Sequence, residues 1–238
     1  MKSIRKYCIL FIAVVILVIF GIVAHRRYEQ NLYESLKDEM TTMGTELVEE
    51  TLSIDFSYLE SVNKDIYAWI DIPGTDISYP VLQSGEKEEN YYLRHNVDGS
   101  YGYPGTIFSQ LSNAADFSDP VTVLYGHNMR NGSMFAQLHK YEDADFFVSN
   151  SNITIYTPTG KLDYVIFASL TYDDRLILSA YDNFENKEDV LNFYNEVMEQ
   201  ADNKNYAVSV TEESHLLVLS TCLGDPDKRY LVLAALNE

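Results

Sequence analysis

"HLLVLSTCLGDPDKRYLVLAAL", residues 215–236, decides how this chain is read. Two apolar runs flank Gly224-Asp225-Pro226-Asp227, residue types that favour turn geometry, so the stretch reads as a β-hairpin. If the hairpin is simple, 223 opposes 228 and 222 opposes 229, which makes Cys222 and Arg229 cross-strand neighbours on one face. A guanidinium beside a sulfur favours thiolate. It also stays charged at any working pH, so it can bind an oxyanion or hold a carbonyl.

A thiolate nucleophile needs a proton carrier for its leaving group, and histidine suits that task. Of the five histidines, His25 flanks an apolar run, His95 lies in a polar loop, His139 follows a short helix and His215 precedes the cysteine strand. His127 differs. In "VTVLYGHNMRNGSMF" it follows an apolar strand and Gly126, on the kind of strand-end loop where a rigid scaffold holds reactive groups. Taken singly, each residue has a plainer reading: Cys222 as a small buried hydrophobe, His127 as a hydrogen-bonded loop residue, Arg229 as a surface charge. Asp225 and Asp227 read most simply as turn residues.

Further strands are expected at Thr106–Ser109, Val121–Tyr125, Ile153–Thr157, Lys161–Thr171, Leu216–Cys222 and Arg229–Ala235. "YAWIDIPGTDISYPVL" adds two more around Pro73-Gly74, and "YTPTG" at 156–160 reads as a hairpin turn. About eight strands suggest a barrel or a sandwich. Helical periodicity appears near Tyr58–Asp65, at Met134–Leu138 and Asp143–Val148, and in 187–202, where Val190, Phe193, Tyr194 and Val197 share a face.

The 238 residues are 46% hydrophobic, enough for a real core, and carry a formal charge of −19. Residues 1–27 hold five basic groups and no acid, so the remainder is more acidic still. That field argues against nucleic acid and phosphate ligands. The run Cys8–Ala24 has no charged residue and the length of a short bilayer span, and Ile22 and Ala24 make a poor cleavage site, so an uncleaved single-pass anchor is expected. Flanking charges favour a cytoplasmic N-terminus only weakly. Cys8 lies in that run, which leaves Cys222 as the one cysteine outside it. The organisation expected is a cytoplasmic N-terminus and anchor over 1–27, a helical stalk or arm over 28–54 and a catalytic domain over 55–238. No metal or organic cofactor is demanded by any residue pattern.

Together, "LSTC" ending a strand, Arg seven residues later and "YGHNM" about a hundred residues upstream resemble the active-site motifs of sortases, the membrane-anchored cysteine transpeptidases of Gram-positive bacteria. "ENYYLRHNVDGSYGYPGTIFSQ", "VLYGHNMRNGSMFAQLHKY" and the helix at 187–202 are similar to class B members in particular. The resemblance covers roughly 55–236. It implies a mainly β fold, a closed eight-stranded barrel with flanking helices, and a catalytic domain outside the cell membrane. It makes Cys222 the nucleophile, His127 the general acid/base and Arg229 the group that steadies the substrate carbonyl or oxyanion. Thr221 would help bind substrate beside Ser220, a position that varies in the family, while Asn90 and Leu93 resemble positions near the groove. The partners implied are secreted proteins with a Pro- and Thr-containing C-terminal sorting motif, cleaved after Thr, and a peptidoglycan precursor amine as acceptor. Water as acceptor gives hydrolysis. The alternatives are a pilin-polymerising sortase with a protein lysine as acceptor, and an inactive anchored binding module.

Overall fold

The computed structural model describes residues 14–28, 31–35, 54–85 and 88–237. The chain divides into two compact units, Met1–Ser53 and Ile54–Glu238. In the first, 14–28 and 31–35 are helical. No described helix is long and apolar enough to cross a membrane. Residues 8–13 of the apolar run and 29–30 and 36–53 of the expected stalk lie outside the described residues.

The second unit opens with helix α1 (Phe56–Val62), capped by Asp55, whose side chain accepts from the Tyr58 N–H at 3.0 Å. Strands β1 (Ile66–Asp71) and β2 (Ser78–Leu82) pair antiparallel, and Gly74, at φ +81°, supplies the left-handed residue of the turn between them. Strand β3 (Ile107–Ser109) then joins β2 in parallel and β4 (Val121–Tyr125) antiparallel. Helix α2 (Ala144–Ser149) leads to β5 (Asn152–Thr157) and the long β6 (Gly160–Asp173), joined by a tight turn within the hairpin expected at 156–160. Helices α3 (Ile177–Ala180) and α4 (Glu188–Gln200) precede the two-residue β7 (Asn203–Lys204), then β8 (Leu216–Cys222) and β9 (Lys228–Leu236).

The strand order β5-β1-β2-β3-β4-β8-β9-β6 closes through a β5–β6 pairing into an eight-stranded barrel, with β7 added at the β6 bulge between Ile166 and Ala168. Closure satisfies the ladder at both ends of the sheet and leaves no edge on these eight strands. Two of its pairings, β2–β3 and β4–β8, are parallel. Each joins segments separated by a long connection, which the local pattern of Gly, Pro and Asn does not reveal.

The apolar runs are continuous because both faces of these strands are buried. In β8, Leu217 and Leu219 belong to the cluster that fills the barrel, with Val232, Ala234 and Ile155. Leu216 and Val218 belong to a second cluster, in which Val190, Phe193 and Val197 of α4 join residues of β4, β6, β8 and β9. Three of the four residues expected on that helical face are fully buried; Tyr194 is half-buried and packs its ring 5.3 Å from Phe167. The turn expected at Met134–Leu138 is a 3-10 segment, Phe135–Glu142, entered through Met134 at φ +57°. His139 lies within it rather than beyond it.

Candidate active site

Alternation along β8 places Cys222 on the same outer face as Leu216, Val218 and Ser220. The cysteine is exposed, whereas Ser220 and Thr221 are buried. Cys222 pairs with Arg229 in the register expected from the hairpin. On the other side β8 runs parallel to β4 with Tyr125 opposite Ser220. His127 follows Tyr125 by two residues and Cys222 follows Ser220 by two, so continuing that register would set His127 level with Cys222. His127, Cys222 and Arg229 thus stand on three neighbouring segments.

Beyond the end of β4 this alignment is kept by hydrogen bonds rather than by a regular ladder. The Gly126 N–H donates to the Ser220 carbonyl at 3.2 Å. The Thr221 hydroxyl donates to the Gly126 carbonyl at 2.8 Å, and the Asn128 Nδ2 donates to the Cys222 carbonyl at 2.9 Å. Gly126 is required by space. A Cβ there would lie 2.5 Å from Ile107 Cδ1 and 2.7 Å from the Phe135 ring.

His127 is oriented by the loop that precedes β3. Its Nε2 lies 2.6 Å from the Leu93 carbonyl, which only accepts, so Nε2 carries the proton and Nδ1 is left for chemistry. The Tyr103 ring stands 5.1 Å away, centroid to centroid. Gly105, at φ +68°, lets the loop close, because a Cβ would sit 2.9 Å from the Tyr92 and Leu93 carbonyls and 3.3 Å from His127 Cδ2. Burial holds the imidazole below its usual pKa; the Leu93 carbonyl opposes that shift and the Arg94 charge adds to it. Among the described residues Cys222 Sγ makes no hydrogen bond to His127.

Arg229 Nη1 donates to the Pro226 and Lys228 carbonyls, each at 2.8 Å, which holds the guanidinium at the mouth of the turn. Asp225 accepts from the Asp227 N–H at 3.0 Å, an Asx turn, and neither carboxylate bonds His127.

Cys222 and Arg229 lie in a groove floored by Tyr125, Ser220 and Thr221. Asn90 and Leu93 line it too, with Phe108 and Gln110. Gln110 Nε2 donates to Asn90 Oδ1 at 3.0 Å and leaves the Asn90 Nδ2 without a partner among the described residues. The segment Asp173–Ile177 lines the groove as well. Reading the sequence missed that segment, Gln110 and Asn128. Asn128 stands inside the quoted motif "YGHNM", but only the fold shows what its amide reaches. His95 stacks on Tyr91 at 3.6 Å and His215 bonds the Asp119 carbonyl, so both hold loops.

A family model described as the sortase domain matches residues 70–237, the whole barrel apart from part of β1. The chain belongs to the sortase family. It is 36% identical over 174 residues to sortase B of Listeria monocytogenes, a match covering 72% of this chain and 68% of that relative. It is 30% identical over 231 residues to sortase B of Staphylococcus aureus, covering 93% and 92%. Among solved structures, the Staphylococcus aureus sortase B-substrate complex superposes with a TM-score of 0.77 at 27% identity, over 90% of this chain and 98% of that one. This sortase is thus a cysteine transpeptidase of class B, acting at the cell envelope.

Proposed function

We propose that Cys222 of this sortase is the nucleophile and that it attacks the Thr carbonyl of a Pro- and Thr-containing sorting motif near the C-terminus of a secreted protein. The observation that carries this reading is the placement of His127, Cys222 and Arg229 on the segment after β4, on β8 and on β9, with the thiol and the guanidinium opening into one groove. The Cys222 sulfur bonds to the carbonyl carbon, and the negative charge moves to the carbonyl oxygen, where Arg229 stabilises it. His127, protonated at both nitrogens, gives the Nδ1 proton to the departing amine as the C–N bond breaks, while Nε2 stays on the Leu93 carbonyl. A cell-wall peptide amine then attacks the thioester and returns its proton to Nδ1, and the thiolate leaves. Ser220, Thr221, Asn90 and Leu93 form the groove that receives the motif.

The apolar run 8–24 serves in this reading as a single-pass anchor, with the N-terminus cytoplasmic and the barrel outside. The structure of a related enzyme with its substrate supports the sorting-motif class. The test is a library of fluorescent peptides with Pro-x-Thr-Gly or Pro-x-Thr-Asn cores, with and without added amine, followed by mass spectrometry. A Cys222 adduct, cleavage after Thr and an amine-dependent ligated product are expected, all lost in Cys222→Ala. A native protein that alkylates with iodoacetamide yet yields no adduct or cleavage across the library would overturn the reading.

A further inference from the structure

The carbonyl of Cys222 is held by a chain of side chains that the proposed reaction does not use. Asn128 Nδ2 carries two N–H groups. One reaches the Cys222 carbonyl at 2.9 Å and the other reaches His139 Nε2, also at 2.9 Å. His139 Nδ1 lies 2.6 Å from Glu142 Oε1. The donor and acceptor count leaves one consistent assignment. An amide nitrogen only donates, so His139 Nε2 accepts; Glu142, when ionised, only accepts, so Nδ1 carries the proton.

Each member of this chain has a further contact. Asn128 is held by a backbone bridge to Met134, the His139 ring stacks on Tyr230 at 5.0 Å, and the Glu142 carbonyl accepts from Asn203 Nδ2 at 3.4 Å. The charged and titratable groups around His139 are Glu142 and Lys140 on its own turn, Tyr230 from β9, the Cys222 thiol beyond Asn128, and Asp202, whose charge acts on Tyr230. Burial pushes the Tyr230 phenol up to about 12, so the ring against His139 stays neutral across the working range.

We propose that Glu142, His139 and Asn128 form a hydrogen-bonded brace that positions the nucleophile Cys222 through its backbone carbonyl, and that the brace holds only while His139 is neutral. It rests on the role proposed for Cys222 above. At the end of β8 the strand is loosening: the next ladder bond, Leu223 N–H to the Lys228 carbonyl, is already 3.4 Å. The amide of Asn128 takes over there. Protonation turns His139 Nε2 from acceptor to donor and sets two N–H groups against each other. Rotating the Asn128 amide would satisfy His139, but it would turn Oδ1 toward the Cys222 carbonyl. Either way the Cys222 contact is lost. Asn128, His139 and Glu142 are therefore positioning residues, and activity falls on the acid side as His139 takes up its second proton.

The experiment uses the full chain in detergent micelles. In Asn128→Ala and His139→Ala, kcat for the best library peptide is expected to fall about tenfold with KM changed less than twofold, while iodoacetamide alkylates Cys222 at the native rate. His139→Gln retains an acceptor for Asn128 and a donor for Glu142 but has no proton to gain. It should restore kcat near neutral pH and remove the His139 share of the acid-side fall. Native kcat and an unchanged pH profile in a folded His139→Ala would overturn the brace. A second readout is independent of turnover: nitrogen NMR of labelled histidine should show neutral His139 protonated at Nδ1 and bare at Nε2, and losing that preference in Asn128→Ala. A neutral His139 with its proton on Nε2 in the native protein would equally overturn it. If no peptide is turned over, the proposed reaction falls and the NMR result still decides the brace.

Discussion

At the scale of single residues, the site depends on two glycines as much as on its reactive groups. Gly126 lets the chain turn beside Ile107 and Phe135, and the clash that a methyl group would meet there is with a fully buried ring that has little freedom to move. Gly126→Ala is therefore expected to cost about 1–3 kcal/mol in urea unfolding, and to lower kcat further by displacing His127. His127 itself sets a pH dependence whose sign follows from its burial. Its folded pKa lies below the value near 6.5 expected when unfolded, so the unfolded chain takes up the proton more readily. The stability this difference governs is present above about 6.5 and is lost as pH falls through the folded value. Urea midpoints measured across that range should show a smaller acid-side decline in His127→Gln than in the native protein.

Elements matter where the helix α4 meets the groove. Glu196, on its inner side, accepts from the Tyr172 hydroxyl at 2.7 Å and from the Tyr181 hydroxyl, and lies 3.3 Å from Arg175 Nη1. Arg175 in turn donates from Nε to Asp173 at 2.7 Å and stands 5.0 Å over the Tyr172 ring. Burial works against the charge on Glu196, but the two hydroxyls and Arg175 outweigh it and hold the carboxyl below its usual range. One carboxylate thus ties the helix to the segment Asp173–Ile177 that lines the groove. Glu196→Ala is expected to raise KM for a sorting peptide about tenfold and to leave kcat within a factor of two, because the loss is of groove shape rather than of chemistry. The helix was legible in the sequence through its 3.6-residue apolar period. Its link to the groove was not, since Glu196 and Tyr172 meet across 24 residues of chain.

For the whole molecule, the two units make separate predictions. The second unit contains the complete barrel, its own buried core and every residue of the proposed site. Residues 54–238 expressed alone should therefore unfold in one cooperative urea transition and turn over soluble peptides at the rate of the full chain. Failure of 54–238 to fold alone would overturn this. By itself the sequence determined most strands, the hairpin register that pairs Cys222 with Arg229, and the residue types of the site. It could do so because turn chemistry and the two-residue and 3.6-residue periods are local properties of the chain. Only the tertiary structure decided the parallel β4–β8 pairing that brings the chain segment of His127 beside that of Cys222, the Leu93 carbonyl that selects the free nitrogen of His127, and the hydrogen-bonded chain from Glu142 to the Cys222 carbonyl. Those contacts join segments separated by long connections, and their geometry is set by barrel closure, which no local pattern encodes.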